Sequence, residues 1–205
     1  LMSWFTGALK VVYPKCVWSI DKEDRVFLTF DDGPDPTATP LVLNVLKKHK
    51  VKATFFCVGK NVVAHPKLFG QIVNDGHAIG NHTFNHENGW TTPLNTYLDS
   101  ISETSTLFNT MLFRPPFGKI TAKQRRYILK RNLQIIMWSW MSHDYRSNRT
   151  NTRILRSLKR VKGGDILVFH DNHKTAARIE ELIDKTITYL KENQLIFDTL
   201  KPHEI

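Results

Sequence analysis

Apolar residues along this chain fall into two alternating patterns. Short unbroken runs such as Val26-Phe27-Leu28-Thr29-Phe30 and Ile166-Leu167-Val168-Phe169 have the length and branching of buried strands. Longer stretches repeat their apolar positions every three or four residues, as Leu41, Val42, Val45 and Leu46 do, and predict a helix over 38–49. The same criteria predict strands at 53–58, 78–79, 111–113, 133–138 and near 196. They predict helices at 94–110, 121–131, 152–160 and 174–193, and helical stretches after 58, interrupted by Pro66 and closed by Gly76. Residues 139–151 are polar and predict a loop.

Strands that alternate with helices imply a parallel sheet with helices packed outside it. About seven such units exceed a small open sheet and suit a (β/α) barrel. Neither an internal repeat nor a low-complexity linker interrupts the chain, so a single α/β domain is expected.

Composition removes alternatives rather than adding any. The chain has 205 residues, 41% of them hydrophobic and 23% charged. A chain of this length buries a core without help from a structural metal or a disulfide, so a metal has to be argued from chemistry. Lys and Arg number 29 against 19 Asp and Glu, a formal charge of +10. The basic residues are dispersed and no nucleic-acid-binding signature accompanies them, so no nucleic-acid partner is expected. Cys16 and Cys57 do not form a disulfide framework. No apolar run spans a bilayer and the opening segment lacks signal-peptide order, so stable membrane insertion is not expected. The compartment stays open between cell envelope and cytoplasm, and a monomer is expected.

In parallel barrels, reactive groups gather where strands end. Asp31-Asp32 follows Phe30, His82 and His86 follow the strand at 78–79, and Arg114 follows Phe113. Ser139 to Asp144 follow Trp138, and His170 follows Phe169. Adjacent carboxylates leaving a strand at Gly33-Pro34 point apart, so one can bind a cation while the other faces substrate. An exposed acidic turn would carry the same residues. Two histidines at i and i+4 share one face of a helical turn and can share a metal ion. With one strand-end Asp they supply the three protein ligands of a catalytic zinc. Thr83 stands where the zinc-protease motif has Glu, which disfavours that class. Arg114, fixed by Pro115-Pro116, pairs with a buried carboxylate in the functional reading and lies on a surface loop in the plain one. His49, His65, His77 and His203 are expected at the surface.

The set T-F-D-D-G-P (29–34), H-T-x-x-H (82–86), R-P-P-F-G (114–118) and L-x-x-H (167–170) resembles the polysaccharide deacetylase family, also called the NodB-homology family or carbohydrate esterase family 4. The resemblance runs from about Arg25 to Phe197. It implies an irregular, incomplete (β/α) barrel over 25–200, with 1–24 as an N-terminal extension packing on it. It implies Asp31 as general base, oriented by Arg114, and Asp32, His82 and His86 as metal ligands. His170 would be the general acid, held by Asp144. The Phe117 backbone N–H would stabilise the oxyanion, with Leu167 and Tyr145 around the acetyl methyl. The fourth family motif, D-x-x-D-W, is altered to Met141-Ser142-His143-Asp144-Tyr145, which keeps the second acid.

The implied activity is hydrolytic removal of N-acetyl groups from N-acetylglucosamine-containing glycans, of peptidoglycan or chitin type. The cofactor is one divalent ion, Zn²⁺ ahead of Co²⁺, Ni²⁺ or Mn²⁺. An O-acetyl xylan esterase or an amino-sugar deformylase on the same scaffold is the alternative.

Overall fold

The structure, a computed structural model, describes residues 13–204. Its centre is one sheet in which every strand pairing is parallel. The strands are β1 (Cys16–Val17), β2 (Arg25–Asp31), β3 (Thr54–Cys57), β4 (Ala78–Asn81), β5 (Leu112–Phe113), β6 (Gln134–Ile136), β7 (Trp140–Met141), β8 (Ile166–His170) and β9 (Ile196–Asp198). Their order is β1-β6-β5-β4-β3-β2-β8-β7, with β9 also paired to β2. The path does not return from β7 to β1, so the barrel is incomplete, as the family pattern implies.

All seven strands expected from the sequence form. The other two, β1 and β7, have two residues each, too short for an apolar run to announce. β7 lies inside the stretch expected to be loop, and pairs Trp140 with Leu167 and Met141 with Val168. β1 pairs with β6, and Ser19 bridges to Asp165 at the start of β8. Residues 16–19 therefore join the sheet at one edge and touch it again near β8.

The helices are α1 (Thr39–His49), α2 (Gly59–Ala64), α3 (Pro66–Asn74), α4 (Leu94–Leu107), α5 (Ala122–Lys130), α6 (Asn151–Ser157) and α7 (Ala176–Glu192). Pro66 opens α3 because a first-turn residue needs no N–H partner. α5 starts with a capping box between Thr121 and Gln124.

Side-chain alternation gives the sheet two different faces. Val26, Leu28, Phe30, Phe55, Cys57, Leu167 and Phe169 point outward into one core cluster with Val42 and Leu46 of α1 and Ile183 and Ile187 of α7. Each such buried side chain contributes about 1.5–3 kcal/mol. The alternate residues Phe27, Phe56, Leu112, Ile136 and Ile166 fill the inside. Continuing that inner face toward the strand ends gives Thr29 and Asp31 on β2 and Val168 and His170 on β8. The apolar filling thus gives way to ionisable groups at one end.

His77 is a correction. It is buried rather than at the surface, and its Nδ1 accepts the Ala53 N–H at 3.2 Å. Burial first and the nearby Lys52 charge second push its pKa down to about 4, so it is a neutral part of the core.

Candidate active site

Asp31 and His170 occupy paired positions on neighbouring strands β2 and β8. Both are buried, and each is held by a partner from another loop. Arg114, with no exposure, donates from Nη1 to Asp31 Oδ1 at 2.7 Å and to Thr29 Oγ1 at 2.7 Å. Its Nε and Nη2 donate to the carbonyls of Ile136 and Met137, and its guanidinium lies 4.0 Å from the Phe56 ring centre. A buried charge is tolerable only when so fully partnered. The consequence is that the Asp31 carboxylate has a fixed orientation.

His170 is gripped twice by Asp144. Its Nδ1 lies 2.7 Å from Oδ1, and its backbone N–H donates to Oδ2 at 2.9 Å. Burial alone would lower the His170 pKa. The negative charge and hydrogen bond of Asp144, with Asp32 and Asp31 behind them, outweigh it and push the value up to about 9. The Tyr145 ring packs edge-on against the imidazole, 4.9 Å between centres, and remains 38% exposed.

Asp32, His82 and His86 converge beside this pair. One donor atom from each lies within 4.8 Å of the others, and among the described residues this is the one such group. His82 and His86 are not on a helical turn, contrary to the expectation from their spacing. They lie on an irregular loop after β4, where Thr83 has φ 63° and His86 φ 62°. Asp32 also leaves the extended region, with φ 82°, so it is a backbone turn that parts it from Asp31.

The donor set fits a cation. His82 Nδ1 lies 2.7 Å from the Arg114 carbonyl oxygen, which has no proton to give, so Nδ1 must carry the hydrogen. In the neutral ring, Nε2 then presents a lone pair. It faces Asp32 Oδ1 at 3.6 Å, and His86 Nε2 faces the same oxygen at 3.0 Å. A lone pair aimed at a carboxylate oxygen is repelled unless a positive centre lies between them.

Comparison with known proteins fits this geometry. The sequence profile described as polysaccharide deacetylase matches residues 19–136. The chain belongs to the polysaccharide deacetylase family.

A peptidoglycan-N-acetylglucosamine deacetylase of Bacillus cereus is 31% identical over 191 residues, covering 89% of this chain and 90% of that one. The crystal structure of the Bc1960 peptidoglycan N-acetylglucosamine deacetylase, bound to a naphthalenyl N-oxidanyl-benzamide, superposes with a TM-score of 0.88 at 31% identity. It covers 96% of this chain and 95% of that one. Wild-type BA3943 of Bacillus anthracis, described as a pseudoenzyme of the same family, has a TM-score of 0.81 at 26% identity over 91% of this chain and 68% of that one. Membership alone therefore does not guarantee turnover, and the residues of each chain have to be read.

In this polysaccharide deacetylase, nine of the ten residues singled out from sequence surround the strand ends just described. Phe117 sits at φ 61° in the Pro116–Gly118 turn, its ring 4.6 Å from that of His86. Leu167 is the exception. It alternates with His170's face, is fully buried, and belongs to the cluster shared with the outer helices. Val168, two residues before His170, has the inward position instead.

Four residues that sequence reasoning passed over also touch the site. Asn172 donates to Asp32 Oδ2 and Asn61 donates to the Asp32 carbonyl, both at 2.7 Å. Thr39 donates to Asp171 Oδ2 at 2.5 Å. Asp171 is fully buried, and burial, reinforced by the charges of Asp32 and Asp31, raises its pKa well above the ordinary value. Its carboxyl packs so closely on Gly33 that any Cβ there would collide with it. The adjacent pair His170-Asp171 was visible in the chain, but nothing local distinguishes a second acid that packs from one that titrates.

Proposed function

We propose that this protein is a metal-dependent hydrolase that removes the N-acetyl group from N-acetylglucosamine residues of peptidoglycan- or chitin-type glycans. The observation that carries the reading is the juxtaposition of an Arg-fixed carboxylate, an imidazole held by Asp144 and a three-donor cation site at one end of the barrel. Relatives named for that same reaction supply the substrate class. Among the described residues no helix is long and apolar enough to cross a membrane.

Asp32, His82 and His86 are the assigned cation ligands, and their nitrogen–oxygen set favours Zn²⁺, with Co²⁺, Ni²⁺ and Mn²⁺ as substitutes. The chemistry a cation supplies there is polarisation of the acetyl carbonyl and of the attacking water. Asp31 accepts the proton of that water, with Arg114 keeping the carboxylate aimed. An amide nitrogen leaves poorly as an anion, so His170 donates its Nε2 proton to nitrogen as the C–N bond breaks. Acetate and the free amine result. Asp144 holds His170 in the donor state and fixes its ring. The Phe117 backbone N–H is assigned to the developing oxyanion, and Tyr145 to the wall beside the acetyl group. Residues 25–200 constitute the catalytic domain in this reading, with 1–24 as an extension on it, of which 1–12 lie outside the described residues.

The test is acetate release from N-acetylglucosamine oligomers and from O-acetylated xylan, before and after chelation. Release from the oligomers, lost on chelation and restored by Zn²⁺, is expected. Release from xylan alone would overturn the substrate assignment, and release that survives full chelation would overturn the metal.

A further inference from the structure

Among the described residues four aromatic side chains are exposed, and all but Tyr127 of α5 stand at one end of the protein. Trp90 is 58% exposed, Phe117 60% and Tyr145 38%. They lie on the loops that follow β4, β5 and β7 respectively. In sheet order, the strands bearing Asp31 and His170 fall between Tyr145 on one side and Trp90 and Phe117 on the other. Exposed rings concentrated around a polar centre mark a binding surface, because aromatic faces pack on the C–H faces of sugars while leaving the hydroxyls in water.

Trp90 is held as a platform would be. Gln124, buried at the start of α5, donates from Nε2 to the carbonyls of Gly89 at 2.8 Å and Thr92 at 3.1 Å, on either side of Trp90. Trp90 N–H donates to Asn88 Oδ1 at 3.1 Å. Gly89 packs so tightly on the Lys119 carbonyl that a Cβ would collide with it. Lys119 Nζ in turn lies 5.0 Å from the Trp90 ring centre. The backbone is therefore pinned while the ring is left out in solvent. Burying Trp90 in the core would stabilise the fold, so its exposure asks for another partner.

Position says which partner. Trp90 is four residues beyond His86, a reach of at most about 14 Å of chain. Lys119 is two residues beyond Phe117, whose ring touches His86. β4 is two strand spacings from β2, about 10 Å. Through Lys119 and Phe117 the Trp90 loop thus lies beside the His86 side of the site, where a neighbouring sugar would extend.

We propose that Trp90 and Lys119 form a second sugar subsite, which takes the neighbouring residue of the glycan chain and favours one bearing a carboxylate. The indole supplies the stacking face and the ammonium the counter-charge, in keeping with the chain's net charge of +10. This rests on the deacetylase reading above for the location of the reacting sugar.

The experiment compares Trp90→Ala, Trp90→Phe and Lys119→Met with the parent protein. The substrates are N-acetylglucosamine itself, its dimer, the neutral tetramer, and a peptidoglycan tetrasaccharide whose alternate sugars carry a carboxylate. For Trp90→Ala, KM on the dimer should rise about tenfold more than on the monosaccharide, with kcat nearly level, and Trp90→Phe should recover most of it. Lys119→Met should weaken the acidic tetrasaccharide more than the neutral tetramer, and the difference should fade with added salt. Equal factors on monosaccharide and dimer would mean that Trp90 only supports the His86 loop, and would overturn the subsite. Equal effects of Lys119→Met on both tetramers would overturn the acidic preference. Calorimetric binding of the tetramer to His170→Ala, and its loss in the double variant with Trp90→Ala, separates the two readings. Trp90-dependent binding without acetate release by the parent protein would sink the reaction and leave the subsite standing.

Discussion

The two halves of the active site are built in opposite ways. Asp31 and His170 sit on the ends of β2 and β8, paired strands in the middle of the sheet, and each is clamped by a buried partner of opposite charge. That half is complete with protein atoms alone. Asp32, His82 and His86 sit past the strand ends, Asp32 and His86 on backbone with positive φ, and the Nε2 atoms of both imidazoles face the same Asp32 oxygen. On the proposed function, that half is finished by an ion. In that reading proton transfer is pre-organised by the fold, whereas cation binding is where the molecule gives up local stability.

The sharpest way to break this contrast is to remove the ion's ligands. His82→Ala should abolish cation binding and lower turnover about a thousandfold, the value of several kcal/mol of charge stabilisation. Hydrogen exchange should rise in the loop after β4 while the amides of β2 and β8 stay protected. Loss of protection across β2 and β8 would contradict the idea of independent halves.

His170→Ala strikes the other half. Turnover should fall by about a hundredfold or more, with metal content unchanged by atomic absorption. A variant that keeps full activity would remove His170 from the chemistry.

Asn172→Ala sharpens the comparison more gently, because Asn172 holds the Asp32 oxygen turned away from the histidines. Cation affinity should drop about 10- to 100-fold in a metal titration, and saturating metal should restore turnover.

The smallest effect concerns pH. His170 is raised from 6.5 to about 9, so its proton, and the stability its ion pair with Asp144 contributes, are present below 6.5 and lost as pH rises through the folded value. Activity should fall on the alkaline side with that limb. Bound cation offsets the part that Asp32 contributes, so the limb lies at or below about 9. Asp144→Asn should move it toward 6.5, the ordinary histidine range. An unmoved limb in that variant would assign it to another group.

Much of this was legible in the chain because strands and helices bury regular faces. The runs at 26–30 and 166–169 and the spaced apolar positions of 38–49 and 174–193 correspond to β2, β8, α1 and α7 within a residue or two. β1 and β7 were not legible, since two residues have no period to detect. The site was legible as residue types at strand ends. It was not legible as geometry: the H-x₃-H pair lies on a loop, and alternation puts Val168 rather than Leu167 on the face of His170.

The sequence by itself determined the alternation of strands and helices and the barrel, because these depend on local periodicity, and its motifs resembled a family closely enough to nominate acid, base and ligands. Only the tertiary structure decided which donors meet. Arg114 reaches Asp31 across 83 residues of chain, Asn172 reaches Asp32 across 140, and Gln124 pins the backbone on either side of Trp90. Contacts of that kind are set by packing between elements distant in the chain, and no local pattern encodes them.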